Sequence, residues 1–317
     1  MMATNKRLVD GTLCMNLCYV NPFKEPGIWL KGNLHTHTVH SDGHLTPEQH
    51  AERYRDAGYG FLAITDHGEY VDTHTLSRRG LTMIQGEELS VGRSAAGTLY
   101  HLVALGIREG LPFEEADSAV SPQAVIGHVN GAGGLVALAH PYWSGLTHSE
   151  AMAIKGFAAV EAYNHVCELL NDRGDAAAHW DHMLTAGRRV NALAVDDAHS
   201  KEREHMPDDS FGGWVVARCR DRSEKAIIDA LRQGLYYSSS GPTIEGVEVG
   251  DGEVNITCSP ATKIAFVSVP CLGVCYKAPG DSLTGASYSL RPGERYVRVQ
   301  VTDSRGGRAW TNPVYVE

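Results

Sequence analysis

The chain of 317 residues lacks the marks of several large classes of protein. No apolar run approaches the length that a membrane-spanning helix needs. The first residues, MMATNKRLVDGTLCMNLCYVNPF, have no sustained apolar core after their charges, so we expect no export signal and a cytoplasmic location. The net charge is −10 and no basic stripe is present. We therefore expect neither a nucleic-acid polymer nor a membrane as partner.

Cysteine offers no recognisable metal-binding pattern. The count of seven is odd, and without an export signal it favours reduced thiols. Cys14 and Cys18, like Cys271 and Cys275, are separated by three residues, which is a poor spacing for zinc. We therefore expect these cysteines at alternating core positions.

Histidine, by contrast, is abundant, with 16 residues. Residues 32–43 read GNLHTHTVHSDG and crowd three histidines and an aspartate together at the end of a predicted strand. In an extended chain, side chains two residues apart point to the same face. His35 and His37 are therefore expected to bind one ion together.

The first 240 residues alternate short apolar runs with helix-like stretches. The runs predict buried parallel strands, and they are KGNL (31–34), GFLAIT (60–65), LTMIQG (81–86), TLYHLVALGI (98–107), GGLVALA (133–139), FAAVEAY (157–163) and VNALAV (190–195). Helix signals begin at Thr46-Pro47, Ser121-Pro122 and Ser223, and residues 166–186 form a longer helical stretch that Gly174 weakens. Seven strand–helix units favour a closed or nearly closed α/β barrel, with a doubly wound open sheet as the alternative.

After Gly241-Pro242 the sequence changes in character. Residues 244–317 carry short strands and glycine-rich turns and no convincing helix, and residues 296–302 alternate cleanly. The sequence therefore predicts a metal-binding α/β domain at residues 1–243 and a small antiparallel β-sandwich domain at residues 244–317.

Residues of the types that commonly bind metals follow the predicted strands one after another. Because the ends of parallel barrel strands share one face, these residues are expected to meet at a single rim. In chain order they are His35 and His37, Asp66 and His67, Glu87 and Glu88, His101 within the fourth strand, His140, Asn164 and His165, and Asp196, Asp197 and His199.

Mixed imidazole and carboxylate ligands suit Zn, Mn or Fe(II), whereas Mg and Ca prefer oxygen and copper more often recruits sulfur. More than four ligands imply more than one ion. Two ions about 3.5–4 Å apart can share a bridging hydroxide and clamp both the attacking and leaving oxygens of an ester. The pattern predicts metal-assisted hydrolysis with two to three divalent transition metals.

The motifs also resemble a known family. HTHTVHSDG, ITDH, GEELS, the histidine of YHLVALG, GLVALAHP and DDAHS, in that order, resemble the polymerase-and-histidinol-phosphatase (PHP) superfamily over about residues 30–243. The tail, LRQGLYYSSSGP and then GRAWTNPVYV, is more similar to PHP proteins of the carbaryl-hydrolase (CehA/McbA) group. The resemblance implies a distorted seven-stranded (β/α)7 barrel that holds up to three metals.

Carried over to this chain, three groups of residues resemble the family's ligand sites. The first site takes His35, His37, Glu88 and Asp197; the second takes Asp42, His67 and His199; the third takes His101 and His140, with Glu88 as the bridge.

Three positions have a close competitor for the role of ligand. The family glutamate stands two residues after the motif's glycine, which selects Glu88 over Glu87. The final Asp-x-His motif selects Asp197 over its neighbour Asp196. The SDG form of the first motif uses the carboxylate, which favours Asp42 over His40.

Further residues are candidates for roles around the metals. Asp66 is expected to orient a ligand imidazole. Lys201 and Arg203 are candidates for binding a phosphate, with a solvated charged loop as the alternative. These three, with His199, form the catalytic candidates. Tyr142 and Trp143 either wall the pocket or pack at its rim.

The main functional hypothesis is a phosphoesterase in which a metal-bridging hydroxide attacks a small phosphorylated substrate. The second is a carboxyl-ester or carbamate hydrolase, suggested by the tail, and para-nitrophenyl phosphate against para-nitrophenyl acetate separates the two. The third is a non-catalytic metal- or ligand-binding protein, which full metal occupancy without turnover of any ester would favour.

Overall fold

The computed structural model describes residues 8–9, 12–13, 16–78, 80–201 and 204–317. These residues form two compact units. One unit comprises residues 26–240, and the other comprises residues 241–317 together with the described residues up to Glu25. None of the described helices is long and apolar enough to cross a membrane.

The N-terminal residues supply three short strands, β1 (Leu8–Val9), β2 (Thr12–Leu13) and β3 (Leu17–Cys18). The strands of the unit at residues 26–240 are β4 (Ile28–Asn33), β5 (Phe61–Ile64), β6 (Thr82–Val91), β7 (Tyr100–Leu105), β8 (Leu135–Leu138), β9 (Ala159–Asn164), β10 (Asn191–Val195), β11 (Trp214–Cys219) and β12 (Tyr236–Ser239). Its α-helices are α1 (Pro47–Asp56), α2 (Pro122–Gly131), α3 (His148–Ala153), α4 (His165–Asn171), α5 (Ala177–Thr185) and α6 (Glu224–Gln233), and a short 3-10 helix spans His74–Leu76.

Three of these helices begin where the sequence supplies an N-cap. The Thr46 side chain accepts from the backbone N–H of Gln49 at the start of α1, and the Gln49 side chain completes a capping box. Ser121 and Ser223 cap α2 and α6 through the same kind of bond. Local sequence signals therefore place these helices correctly.

The single helical stretch predicted at residues 166–186 is wrong, because α4 and α5 are separate helices. Asp172 has φ 62°, a left-handed conformation that ends α4. Gly174 packs closely against α4, and a Cβ there would lie 2.3 Å from the carbonyl oxygen of Asn164. Only glycine fits at this contact.

The sheet of this unit is mixed rather than parallel. Its order is β10-β9-β8-β7-β6-β5-β4-β11-β12. Parallel pairs join β4, β5 and β6, and again β8, β9 and β10, but β7 runs antiparallel to both of its neighbours. Residues 92–99, between β6 and β7, are too few for a crossover to a parallel strand. The predicted strands are present as β4 to β10, and the expectation that all are parallel is wrong at β7.

Two strands of this sheet were not predicted, and closure of the sheet is not confirmed. β11 pairs antiparallel with β4 and with β12. At the opposite end, β10 pairs only with β9 in the described part of the chain. The Ser238 hydroxyl of β12 nevertheless donates to the carbonyl oxygen of Ala192 in β10 at 2.8 Å. The observed architecture is a large mixed sheet with few helices, whose ends approach each other.

The interior of this unit is filled by apolar side chains from neighbouring strands. Leu34, Phe61, Ile84, Val103 and Val195 are buried in one cluster. β5 and β8 are buried along their whole length, as expected of strands covered on both faces. The buried strands therefore hold the segments that follow them in defined positions.

The second unit is built from antiparallel strands. They are β13 (Ile244–Gly250), β14 (Glu253–Ala261), β15 (Lys263–Ser268), β16 (Leu272–Lys277), β17 (Leu283–Ser289), β18 (Tyr296–Thr302), β19 (Arg308–Thr311) and β20 (Val314–Val316). One sheet has the order β13-β14-β17, and β19, β18, β15 and β16 are neighbours in another. The rings of Phe266 and Tyr288, one from each sheet, stack at 5.4 Å. The unit is β-rich, with no helix among its described residues from 244 onward, and the sandwich stays a prediction.

The described N-terminal residues lie with this second unit. β3 pairs with β20 and places Cys18 opposite Tyr315. They therefore do not join the α/β unit, to which the sequence assigned residues 1–243. As a division into separate domains, the boundary at residue 243 stays a prediction.

The cysteines differ from their expected core positions. Cys271, just before β16, and Cys275, within it, are exposed free thiols. Cys18 is half-buried, and Cys14 lies outside the described residues.

Candidate metal centre

His35 and His37 lie on the short extended segment that follows β4. This segment is held from both sides, since His37 N–H donates to the carbonyl of Ala198 at 2.8 Å and Thr65 N–H donates to that of Thr36 at 2.9 Å. The two imidazoles point the same way, as their spacing predicted, and their Nε2 atoms lie 3.1 Å apart. Both side chains are fully buried. Two ligand nitrogens therefore point at one place.

The carboxylate of Glu88, on β6, stands in the middle of the centre. Its oxygens lie 3.0–3.3 Å from imidazole nitrogens of His35, His37, His67, His101 and His140. The side chain is 1% exposed. A single buried carboxylate thus contacts imidazoles from four segments of the chain.

Asp197 and His199 come from the segment after β10. Asp197 adopts φ 55°, in the left-handed region, and its Oδ1 lies 3.3 Å from His35 Nε2 and 3.0 Å from His37 Nε2. His199 Nδ1 donates to the backbone carbonyl of Asp197 at 2.8 Å. Because a carbonyl only accepts, the Nε2 lone pair of the neutral His199 ring is free to bind a metal.

Asp42 lies at the outer side of the centre. Its Oδ1 is 3.2 Å from His199 Nε2, 3.8 Å from His37 Nδ1 and 3.9 Å from His67 Nε2. Its Oδ2 accepts from Lys201 Nζ at 2.8 Å. Asp42 is 47% exposed, so this edge of the centre is open to solvent.

His101, His140 and Trp143 form one wall of a cleft that leads to the centre. The two imidazole rings lie 4.9 Å apart, and the indole meets His140 edge-on at 5.0 Å. The cleft has a volume of about 190 Å³, and its other lining residues include Val166, Cys167 and Leu170. Of the two alternatives for Trp143, the structure shows the pocket wall.

Glu161, on β9, holds the centre from behind and was missed by the sequence analysis. Its Oε1 accepts from His35 Nδ1 at 2.7 Å, and its Oε2 accepts from the backbone N–H of His140 at 2.9 Å and from Asn164 Nδ2 at 2.9 Å. Asn164 in turn donates to Asp197 Oδ2 at 3.0 Å. A carboxylate inside the apolar run FAAVEAY was the available signal, since a buried charge needs partners.

The competing residues point away from the centre. Glu87 and Glu88 are adjacent on one strand and lie on opposite faces, and Glu87 accepts from Leu111 N–H at 3.0 Å. Asp196 accepts from the Tyr54 hydroxyl at 2.7 Å and from Gly213 N–H at 2.7 Å.

Asp66 supports a loop rather than an imidazole ring. Its oxygens accept from the Thr38 N–H and hydroxyl, both at 2.7 Å, and from the Ser41 hydroxyl at 2.5 Å. The Asp66 carboxylate faces the turn after His37, and among the described residues no hydrogen bond joins it to a ligand imidazole, contrary to expectation. Among the clusters of ligand atoms that the described residues form, one includes Asp42 and none includes the exposed His40.

Of the two residues predicted to bind phosphate, the structure describes one. Lys201 lies at the open edge, with its side chain 22% exposed and bonded to Asp42. Arg203 lies outside the described residues.

The donors fit divalent metals. Three groups each have ligand atoms within 4.8 Å of one another, and they are His37, Asp42, His67 and His199; His35, His37 and Asp197; and His67, Glu88 and His101. His37 Nδ1, His67 Nδ1 and Asp197 Oδ1 are buried without a hydrogen-bond partner in the described part of the chain. Buried polar atoms without partners are costly, and ions at these points would satisfy them. The division of ligands among three sites stays a prediction.

The pKa shifts of the buried side chains also indicate a site for cations. Burial would raise the pKa of Glu88, but His35 and His67 and then His101 and His140 outweigh it and hold that pKa well below its usual range. Burial would lower the pKa of His37, but Asp197 and Glu88 raise it to about 9. The centre thus attracts positive charge. A divalent ion would supply that charge, with the imidazoles as neutral ligands.

The chain is similar to several solved structures. Over 92% of this chain and 95% of the other, it resembles a two-domain protein from Bacteroides vulgatus containing a predicted PHP-like metal-dependent phosphoesterase, with 16% identity and a TM-score of 0.49. A proposed metal-dependent phosphoesterase from Bifidobacterium adolescentis is 18% identical over 56% of this chain and 92% of its own, with a TM-score of 0.42. An amidohydrolase from Chromobacterium violaceum, with bound sulfate and no metal, is 19% identical over 55% of this chain and 89% of its own, with a TM-score of 0.43.

No protein-family model matches the chain, and no curated protein matches it.

Proposed function

We propose that this protein is a metal-dependent hydrolase and that its substrates are phosphate esters. The observation that carries the proposal is the convergence of imidazoles and carboxylates on Glu88, with buried ligand atoms that lack partners, at the bottom of a cleft of about 190 Å³. Divalent ions held there would act as Lewis acids on an ester oxygen and activate the attacking water.

The chain itself contributes rigidity and shape to the reaction. Glu161 fixes His35 directly and Asp197 through Asn164, so the ligands are held before any ion arrives. Such preorganisation avoids reorganisation during the reaction. Trp143 and Leu170 line the cleft and exclude water from one side of a bound ester.

Lys201 favours phosphate among the possible esters. Its ammonium lies at the open edge of the centre, 2.8 Å from Asp42 Oδ2. The Lys201 ammonium would be close enough to contact an oxyanion bound beside Asp42, and ammonium groups commonly bind phosphate. An uncharged carboxyl ester gains much less from the same charge.

The test compares two chromogenic esters, with and without this cation. The metal-reconstituted protein should turn over para-nitrophenyl phosphate faster than para-nitrophenyl acetate. Lys201→Met should lower kcat/KM for the phosphate by about tenfold or more and change the acetate rate little. Lys225→Met is the matched control, because Lys225 also pairs with an aspartate, Asp229, but on the exposed face of α6. Equal loss on both esters, or no phosphate turnover, would count against phosphate as the substrate.

A second candidate is the hydrolysis of carboxyl or carbamate esters. The observation that favours it is the apolar part of the cleft wall, formed by Trp143, Val166 and Leu170. Turnover of the acetate that exceeds turnover of the phosphate, and that does not depend on Lys201, would support this candidate.

The proposal carries further expectations with it. Two to three equivalents of zinc, manganese or iron should be found by elemental analysis of protein grown without chelators. The substrate should be a small phosphorylated molecule or ester rather than a nucleic-acid polymer or a membrane lipid, and the location cytoplasmic. Strands β4 to β10 should correspond to a distorted seven-stranded barrel.

A further inference from the structure

Asp209 is a buried carboxylate that lies beside the metal centre. Its side chain is in none of the clusters of ligand atoms that the described residues form, and the residue is 1% exposed. Its Oδ2 accepts from the backbone N–H of His199 at 3.0 Å, and its Oδ1 accepts from that of Ser200 at 2.9 Å. Because a buried charge needs partners, these two bonds join Asp209 to the segment that carries His199.

The two bonded N–H groups belong to a turn of unusual backbone conformation. Ser200 has φ 51°, in the left-handed region that residues other than glycine seldom adopt. Successive N–H groups in such a turn point to one side and form a concavity that binds an anion. A residue other than glycine keeps this conformation only where its surroundings enforce it. The Asp209 carboxylate is the anion in this concavity, so it stabilises the turn.

The turn sets the position of His199 as a ligand. Its backbone N–H is held by Asp209, and its backbone carbonyl accepts from the N–H of His44 at 2.8 Å. The ring donates from Nδ1 to the carbonyl of Asp197 at 2.8 Å, and its Nε2 lies 3.2 Å from Asp42 Oδ1. Without the bond to Asp209, one side of the His199 main chain would be released, and Nε2 could move away from the other ligand atoms.

Lys201 directly follows the turn. Its Nζ lies 2.8 Å from Asp42 Oδ2, and its side chain is 22% exposed. Because a lysine side chain is flexible, the place of its ammonium depends on the position and direction of its main chain. The bond between the Ser200 N–H and Asp209 fixes the main chain one residue before Lys201.

We propose that Asp209 is a positioning residue of the centre. Through two successive backbone N–H groups it holds both a metal ligand, His199, and the cation at the open edge, Lys201. The part of the proposal that concerns Lys201 rests on the phosphate function proposed above. The part that concerns His199 requires only that the centre binds metal.

Metal affinity tests the assignment for His199. Asp209→Asn keeps the shape of the side chain, but its amide nitrogen donates, so one of the two N–H groups loses its acceptor. One metal equivalent should bind about tenfold or more weakly, as on loss of other outer partners of a ligand, measured by dialysis against a competing chelator and elemental analysis.

Asp303→Asn is the matched control for this measurement. Asp303 also accepts two backbone N–H groups, those of Arg305 at 2.9 Å and Gly307 at 2.8 Å, but it lies in the β-rich unit. This variant should keep the metal affinity of the wild type. Equal metal affinities in the two variants would overturn the assignment for His199.

Inorganic phosphate is the probe for Lys201. Isothermal titration at equal metal occupancy should give a severalfold larger Kd for phosphate in Asp209→Asn than in Asp303→Asn. Equal Kd values would overturn the assignment for Lys201. A wild-type protein that binds metal but no phosphate would refute that assignment together with the phosphate function, whereas the result for His199 would stand.

Amide hydrogen exchange in the wild type tests the same two bonds without any substitution, so the proposal does not depend on the folding of a variant. The amides of His199 and Ser200 should exchange slowly in the metal-free protein, because both donate to a buried carboxylate. Exchange of both amides at the rate of an unprotected peptide would show that Asp209 does not hold the turn, and the proposal would be wrong.

Discussion

Glu161 forms hydrogen bonds to several parts of the metal centre. Its replacement by glutamine tests how much these bonds contribute to positioning the ligands. Its two oxygens accept three N–H groups, from His35 Nδ1, the His140 backbone and Asn164. Glutamine keeps the shape but offers one accepting oxygen, and its amide nitrogen donates. In either orientation the amide N–H₂ faces at least one N–H group, so at least one buried donor loses its acceptor.

The expected magnitude follows from these contacts. A buried donor without a partner costs about 1–3 kcal/mol. Loss of an outer partner of a ligand typically lowers metal affinity or activity about 10–100-fold. Because Glu161 fixes His35 directly and Asp197 through Asn164, we expect Glu161→Gln to reach the upper part of that range.

The assay is metal affinity, measured by dialysis against a competing chelator and elemental analysis, together with ester turnover. Histidine nitrogen NMR adds a direct reading, because the His35 proton should leave Nδ1 in the orientation in which the amide N–H₂ faces that ring and should stay there in the other. Glu87→Gln is the matched control: it is the same substitution at a residue that is also 1% exposed, on the opposite face of β6 from Glu88. If Glu161→Gln binds metal and turns over esters as Glu87→Gln does, the positioning role is refuted.

Three other predictions follow from the same geometry. Glu88→Gln should lose most of the bound metal, whereas Asp196→Asn should keep it and lose about 1–3 kcal/mol of stability, because one buried donor loses its acceptor; elemental analysis and urea unfolding of both variants check this. Burial raises the pKa of Glu87 to about 7, from 4.5 for the free residue. This group's contribution to stability is present below pH 4.5 and is lost as pH rises through about 7, so Glu87→Gln should gain stability over the wild type at pH 8 but not at pH 4.5. Trp143→Ala should raise KM for both esters severalfold and leave metal content unchanged, and parallel loss of metal would show that the ring supports the ligands instead.

Much of the centre was predictable because its signals are local. The two-residue period of an extended chain brought His35 and His37 together, and the same period separates Glu88 from Glu87. The start of α1 was likewise visible at Thr46, because the two residues of its capping box, Thr46 and Gln49, are only three positions apart in sequence.

The missed features depend on contacts between distant segments. The reversal of β7 requires knowing that residues 92–99 are a hairpin connection rather than part of a crossover. Glu161 and His140 approach each other only because β8 and β9 are neighbours, so their hydrogen bond has no signal at either position alone. Asp66 lies at a strand end, as predicted, but its carboxylate accepts hydrogen bonds from the hydroxyls of Thr38 and Ser41.

The hairpin of β6 and β7 carries ligand candidates on its strands and none of them on its connecting residues. Its strands carry Glu88 and His101, and their register pairs Ser90 with His101. The connecting residues 92–99 turn through Gly92 and Gly97, at φ 60° and 86°. Because the cost of closing a loop grows slowly with its length, this connection can lengthen without moving the paired strands. Insertions at this tip would therefore leave Glu88 and His101 in place, so the chain can change in length here without disturbing the metal centre.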